Sequence, residues 1–280
     1  MLQQAQGLTD TALEAIAGLE RRVVAADGGR LKLEWSTLRS RPADQMRDLL
    51  WWEDGRLLGF LGIYGFNFEY PEVTGMVDPD ARRRQIGRAL LDAALPLCRA
   101  LDKKRLLLVV PRTSPGGERF AHRYGMTYDH SEHALILRSR PETAAARSEL
   151  SLRRPTLADA ETLTELYGEA FGYLPSNLEE LITSESPPLV IDCGDEIAGT
   201  IAAVREGQRG AIYGFIIAPR LRGRGLGREV LRRVCRDLFD AGMTHVDLEV
   251  EVENDRALAL YTSVGFELVA TDDYYELLLS

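Results

Sequence analysis

Arg222-Gly223-Arg224-Gly225-Leu226-Gly227 stands between an apolar run, 211–218, and an amphipathic stretch that continues to Gly242. The run is apolar on both faces and reads as the central strand of a sheet. The amphipathic stretch reads as a helix from about 225 to 241, ended by Gly242. Between them, glycines let the backbone turn tightly and bring its N–H groups close to an anion. The start of the helix adds the positive end of its dipole, and Arg222, Arg224 and Arg228 add full charges. A pyrophosphate is the natural guest of such a turn. No Gly-Lys-Ser/Thr follows, so it is not a Walker loop. A dinucleotide-binding fold places its glycines after the first strand, with an acid about 20 residues on. Here they follow a hairpin in mid-domain, and Glu249 and Glu251 fall near that spacing but in the wrong order.

Outward from the turn, this half reads as mixed α/β. Strands are expected at 189–192 and 197–205, with turns at 193–196 and 206–210. The alternating stretch 245–252 reads as another strand, 254–264 as a short helix and 266–279 as a final pair of strands. Before them, 150–155 reads as a first strand, and Thr156 caps a helix whose apolar positions are Leu163, Leu166 and Ala170. The polar, Ala-rich stretch 139–149 (SRPETAAARSE) reads as a linker. It lies near the midpoint of 280 residues, and landmarks recur at an offset of 140: Gly59 and Gly199, Pro79 and Pro219, Gly87 and Gly227, Gly125 and Gly265. That period is too long for a solenoid, so each copy is expected to be a whole domain. The expected organisation is a domain over 1–138, a linker over 139–149 and a second domain over 150–280.

Composition narrows the class of function. With 34 basic and 43 acidic residues the net charge is -9, which argues against a nucleic-acid backbone as partner. No run approaches the roughly 20 apolar residues of a membrane helix, and Met1-Leu2-Gln3-Gln4 lacks the pattern of a signal peptide. Three widely spaced cysteines, Cys98, Cys193 and Cys235, read as reduced thiols of a cytoplasmic protein. His130 and His133 have the spacing to chelate a metal together, but read as surface residues, and no metal is expected.

Four pieces occur in order in the second half: Phe215-Ile216-Ile217-Ala218-Pro219, then Arg222-x-x-Gly225-x-Gly227, then Leu248-x-Val250-x-x-x-Asn254-x-x-Ala257, then Leu260-Tyr261-x-x-x-Gly265-Phe266. Each is unspecific alone. Their order and spacing resemble the GNAT superfamily of acyl-CoA N-acyltransferases, well over 150–280 and more weakly over 1–138. Two copies in one chain is a layout similar to that of the mycothiol synthases. The resemblance implies two tandem domains, each a mostly antiparallel central sheet flanked by helices, with acetyl-CoA as cosubstrate. It implies that Phe215, Ile216 and Ile217 hold the pantetheine arm like an added strand. The N–H groups from Arg222 through Gly223, Arg224, Gly225, Leu226 and Gly227 to Arg228 would cradle the pyrophosphate. Asn254 would hydrogen-bond the arm, and Tyr261 would protonate or hydrogen-bond the leaving thiolate. A free amine would attack the thioester while a backbone N–H of the central strand polarises its carbonyl. From the residues alone, Tyr261 also reads as a core aromatic and Asn254 as a helix cap.

The family often carries a carboxylate on the central strand, and 211–219 contains none. Glu249 and Glu251 are the candidate bases, because they alternate with Leu248 and Val250 and share one face. A solvated strand face explains them equally well. Tyr274 and Tyr275 are candidates for the wall of an acceptor pocket, with at least one of them expected to be structural. In the first copy Arg222 maps to Arg82, Gly223 to Arg83, Gly225 to Gln85, Asn254 to Ser114 in what reads as a loop, and Tyr261 to Ala121. A side chain at Gln85 is expected to crowd the anion turn. The first domain is therefore expected to be a degenerate, non-catalytic copy, with weak CoA binding, a wall of the acceptor site, or packing and stability alone as the roles left open to it. Its aromatics Trp51, Trp52, Tyr64, Phe66, Phe68 and Tyr70 read as core and contact residues, with Trp51 and Trp52 facing opposite sides of a strand. The expected activity is acetyl transfer to the primary amine of a small molecule in the second domain. The alternatives are a peptide or protein amine as acceptor, or a non-catalytic acyl-CoA-binding regulator. The chain is expected to be a monomeric pseudo-dimer or a homodimer, without membrane or nucleic-acid partners.

Overall fold

The computed structural model describes residues 1–42, 44–65, 70–142, 149–171 and 178–279. Phe66, Phe68 and most of the expected linker lie outside the described residues. In chain order the elements are β1 (Leu2–Gln6), α1 (Asp10–Asp27), α2 (Trp35–Arg39), β2 (Met46–Glu53), β3 (Arg56–Tyr64), β4 (Glu72–Val77), α3 (Ile86–Arg99), β5 (Arg105–Pro111), α4 (Pro115–Tyr124) and β6 (Thr127–Leu137). There follow β7 (Leu150–Arg153), α5 (Ala160–Phe171), α6 (Leu178–Thr183), β8 (Leu189–Cys193), β9 (Glu196–Glu206), β10 (Arg209–Ile217), α7 (Leu226–Asp240), β11 (His245–Glu251), α8 (Asp255–Thr262) and β12 (Glu267–Leu278). Among the described residues no helix is long and apolar enough to cross a membrane.

The chain forms two compact units. The first gathers Met1–Glu132 with Ala270–Ser280, and the second is His133–Val269. In the first, the strand order is β1-β2-β3-β4-β5-β12. All neighbours are antiparallel except β4 and β5. The expected closing pair of strands over 266–279 is one long strand, β12. Its register on β5 is unbroken from Asp272 opposite Pro111 to Leu278 opposite Arg105. Four polar side chains along it meet partners from the first 132 residues. Asp272 pairs with Arg30 at 3.1 Å, Asp273 with Arg112 at 2.6 Å and Glu276 with Arg105 at 2.8 Å. The Tyr274 hydroxyl accepts from Lys32 at 2.6 Å, and its ring stacks on His130 with centroids 4.2 Å apart. Tyr274 and Tyr275, read above as acceptor-pocket candidates, are instead buried in the core of the first unit.

The faces of this sheet are covered by different helices. Ile16, Leu19 and Val23 of α1 pack with Leu50, Phe60, Tyr64 and, half-buried, Trp52; Ile86, Leu90 and Leu91 of α3 pack with Leu49, Leu61 and half-buried Trp51. The adjacent tryptophans therefore face opposite sides, as strand alternation requires. Within the loop before β2 and the strand itself, Arg41 and Asp48 form a buried ion pair at 3.1 Å.

In the second unit the order is β6-β11-β10-β9-β8-β7, and β10 with β11 is parallel. Helix α7 buries Leu226, Val230, Leu231, Val234 and Leu238; α3 buries Ile86, Leu90, Leu91, Ala94 and Cys98. These five positions correspond at the 140 offset, with the 3.6-residue period of a helix packed along one face; α7 buries Glu229 and Cys235 in addition. The repeat also reaches the backbone. Asp54, Arg83, Gln85 and Asp102 have φ of 47°, 65°, 65° and 53°, and their counterparts Gly194, Gly223, Gly225 and Gly242 have 64°, 78°, 81° and 92°. Four left-handed positions are glycine in the second copy and carry side chains in the first.

Candidate active site

Beyond Ala211 the central strand of the second unit is held on one side only. It pairs with β11 from Arg209 opposite His245 to Ala211 opposite Asp247, and there the ladder stops, although β10 runs on to Ile217 and β11 to Glu251. The two strands splay, so the β10 edge over 212–217 offers its N–H and C=O groups to a partner other than β11. Backbone polar groups need such a partner, and an extended chain laid along the edge supplies it.

On its other side β10 carries a bulge. Tyr213 stands opposite Ala202 and Ile216 opposite Thr200, so three steps on β10 match two on β9. Gly214, with φ 53°, absorbs the extra residue in the left-handed region. The bulge drives the Ile216 carbonyl against Gly199, where a Cβ would lie 1.9 Å from that oxygen. No side chain fits there, which explains one of the glycine landmarks. The corresponding β4 has no bulge: its register on β3 is continuous from Gly59 opposite Val77 to Tyr64 opposite Glu72.

Beyond β10, Pro219–Leu221 forms a turn of 3-10 helix and the chain enters α7 through Gly223 and Gly225, both left-handed. No side chain caps the N-terminus of α7. Leu226 is buried beneath the turn while residues 222–225 are exposed. Gly227 allows close packing, since a Cβ there would lie 3.3 Å from Leu260, 3.5 Å from Ile217 and 3.7 Å from Phe215. Phe215 and Ile217 therefore project toward α7 and α8, and Ile216 is buried. Arg222 Nε donates to the Ile217 carbonyl at 2.8 Å and Arg228 Nε to Ser263 Oγ at 2.9 Å. Among the described residues neither arginine pairs with a carboxylate.

The first unit keeps this backbone and cancels its charge. Arg83 and Gln85 adopt the left-handed conformation of Gly223 and Gly225, so the turn survives without glycine. Arg82 donates to the Val77 carbonyl, as Arg222 does to Ile217, but it also grips Asp27 with both terminal nitrogens at 2.8 and 2.7 Å. Arg84 reaches both oxygens of Glu53 at 2.8 and 2.6 Å. Ser114, read above as lying in a loop, is the N-cap of α4 and accepts from Gly117 N–H at 3.3 Å. Asn254 does the same for α8, accepting from Ala257 N–H at 3.1 Å. The two short helices start alike, because Ser and Asn both satisfy an orphan N–H.

Tyr261 lies on α8, buried, with its ring edge against Phe266 at 6.0 Å. Burial pushes its phenol up to about 12, so Oη carries its proton at neutral pH. Its counterpart Ala121 has no proton to give. On β11 the buried positions are Val246, Leu248 and Val250, and Glu249 and Glu251 stand on the opposite face, half-buried and exposed. Among the described residues no three metal-ligating side chains are grouped. A cleft of about 450 Å³ opens toward the other end of α7, beside Val234, Asp237 and Leu238, and contains none of these residues.

Two residues of this site escape the sequence reading. Gly214 lies inside a run that reads as an unbroken strand. Tyr167, on α5, is buried, and its hydroxyl would lie 3.4 Å from a Cβ built at Gly214. The only signal was a glycine in an otherwise bulky central strand.

Comparison with known proteins agrees with this geometry. The model of the acetyltransferase (GNAT) family matches residues 17–126 and again 155–266. A mycothiol acetyltransferase of Clavibacter michiganensis subsp. michiganensis is 30% identical, over 73% of this chain and 71% of that protein. One from Kineococcus radiotolerans is 29% identical, over 94% of this chain and 92% of that protein. Among solved structures, a GCN5-related N-acetyltransferase from Sphaerobacter thermophilus superposes with a TM-score of 0.81 at 19% identity, covering 99% of this chain and 96% of that one. A tandem GNAT protein from the clavulanic acid biosynthesis pathway superposes with a TM-score of 0.69 at 19% identity, covering 100% and 99%.

Proposed function

This chain belongs to the acetyltransferase (GNAT) family, and from that premise we propose that its second unit moves an acetyl group from acetyl-CoA to the primary amine of a small molecule. The reading rests above all on one arrangement in the second unit: a splayed β10 edge, an uncapped glycine turn at its end, and a buried, protonated tyrosine on the next helix but one. The residues fit acetyl-CoA. Left-handed Gly223 and Gly225 and the uncapped start of α7 suit a pyrophosphate, and Arg222 and Arg228 bring charge that no carboxylate among the described residues neutralises. The 212–217 edge suits the amide-bearing arm.

Acetyl-CoA supplies the activated thioester carbonyl. The chain's own groups do the rest. A backbone N–H at the bulge polarises the carbonyl. Tyr261 Oη holds a proton that it gives to the departing sulfur, and the raised pKa keeps that proton in place until then. Glu249 and Glu251, on the splayed part of β11, receive the amine proton through water. The first unit has no acid at position 121 and no unpaired charge on Arg82 or Arg84, and it serves as a non-catalytic copy in this reading. The net charge of -9 favours a cationic amine as visitor. The mycothiol acetyltransferases make their acceptor one member of the class to try.

The test is a turnover screen with acetyl-CoA against primary amines, including the acceptor of the mycothiol acetyltransferases, reading free thiol. Tyr261→Phe is expected to lower kcat about 100-fold and to leave acetyl-CoA affinity unchanged, because the hydroxyl matters only as the thiolate develops. Equal turnover in the variant removes Tyr261 from the mechanism.

A further inference from the structure

The closed end of the β10–β11 opening lies at Ala211 and Asp247. The span of β10 from there to Ile217 is about 20 Å at the ~3.3 Å rise of a strand. An arm that enters at the glycine turn and follows the edge therefore brings its far end toward the bulge, near Gly214. At that point the strand has no side chain of its own. A Cβ at Gly214 would lie 3.4 Å from the Tyr167 hydroxyl and 3.8 Å from its ring. Phe215 and Ile217 project toward α7 and α8, so Tyr167 of α5 meets Gly214 from the opposite face. The Tyr167 ring is buried and is braced by Phe171, with centroids 5.9 Å apart. A bare strand backed by a fixed phenol is a wall, not a channel.

We infer that Tyr167 sets the length of the acyl group this unit accepts, limiting it to acetyl or propionyl. The inference rests on the reading that the β10 opening binds acyl-CoA, and it deepens that reading by naming the acyl class. Short chains end before the ring, whereas longer ones must displace an aromatic packed in the core, and tightly packed interiors resist such insertion. The role is steric, so removing the hydroxyl alone leaves it intact. The first unit lacks the device altogether, since Thr74 occupies the position of Gly214 in an unbroken ladder.

The test needs no acceptor. Calorimetry of the full chain with CoA, acetyl-CoA, butyryl-CoA and hexanoyl-CoA is expected to show hexanoyl-CoA at least tenfold weaker than acetyl-CoA. Tyr167→Ala is expected to bring the two within threefold, and Tyr167→Phe to keep the wild-type preference. Tyr167→Leu, which leaves more of the core filled, is the second variant if the alanine chain melts early, and is expected to narrow the preference at least threefold. Equal wild-type affinity for acetyl-CoA and hexanoyl-CoA overturns the inference while leaving the acetyl-CoA reading standing. So does a preference that survives in both Tyr167→Ala and Tyr167→Leu. Failure to bind any of the four ligands overturns both.

Discussion

Left-handed backbone at Asp54, Arg83, Gln85 and Asp102 means that the first unit carries a strain its twin has removed. A side chain in that conformation costs on the order of 1 kcal/mol relative to glycine. Gln85→Gly and Asp102→Gly are each expected to raise the stability of the first unit by about that amount in denaturant melts. The sign is informative, because glycine elsewhere in a chain destabilises through the entropy it adds to the unfolded state. In the second unit the opposite change is expected to be harmful: Gly225→Trp strains the turn, crowds the anion and abolishes detectable CoA binding by calorimetry. A second residue-scale expectation concerns Asp48. Burial raises its carboxyl from the usual range to about 6, and the Arg41 guanidinium offsets only part of this. Because the folded pKa exceeds the unfolded one, the folded state holds the extra proton between pH 4 and 6. Stability from this group is therefore greatest below pH 4 and falls as pH rises to 6. Melting Asp48→Asn beside the wild type across that window is expected to show the slope in the wild type only.

At the scale of elements, the turn at 222–227, the helix after it, β11 and α8 were legible in the sequence. Each carries a local signal: glycine with basic residues, a 3.6-residue apolar period, strict alternation, a capping Asn. The bulge was not legible, because apolar residues on both sides of Gly214 hide a change of register that only the partner strand β9 reveals. The route of β12 was hidden for a different reason. Its buried residues, Asp272, Tyr274 and Tyr275, do not by themselves name a partner strand. What selects β5 is a set of ion pairs to Arg30, Arg105 and Arg112, residues 161–242 positions away. Pairings over such distances leave no mark in a local window. Ser114 shows the same limit in miniature, since a proline after it reads as a loop breaker although Pro115 is the first residue of a helix. Deleting 270–280 is expected to open the first unit selectively. Hydrogen exchange should then lose protection in β4, β5 and α3 while α7 and β10 keep theirs.

For the molecule as a whole, duplication has produced two units of one design with different charge at the same turn. Arg82 and Arg84 are held by Asp27 and Glu53, and among the described residues Arg222 and Arg228 are not paired with acids. Calorimetry is therefore expected to find one CoA site per chain, and a fitted stoichiometry of two would mean that the first unit exchanges its carboxylates for phosphate. The inclusion of β12 in the first unit also has a bearing on synthesis. Domains ordinarily fold in the order in which they leave the ribosome, at roughly 5–20 residues per second. The first unit has no such freedom, because its sixth strand is made only after the whole of the second unit. For on the order of ten seconds after Glu132 is made, β5 waits with an open edge. The unit that emerges first is thus completed last, and a chain stopped before residue 270 leaves that unit without its sixth strand.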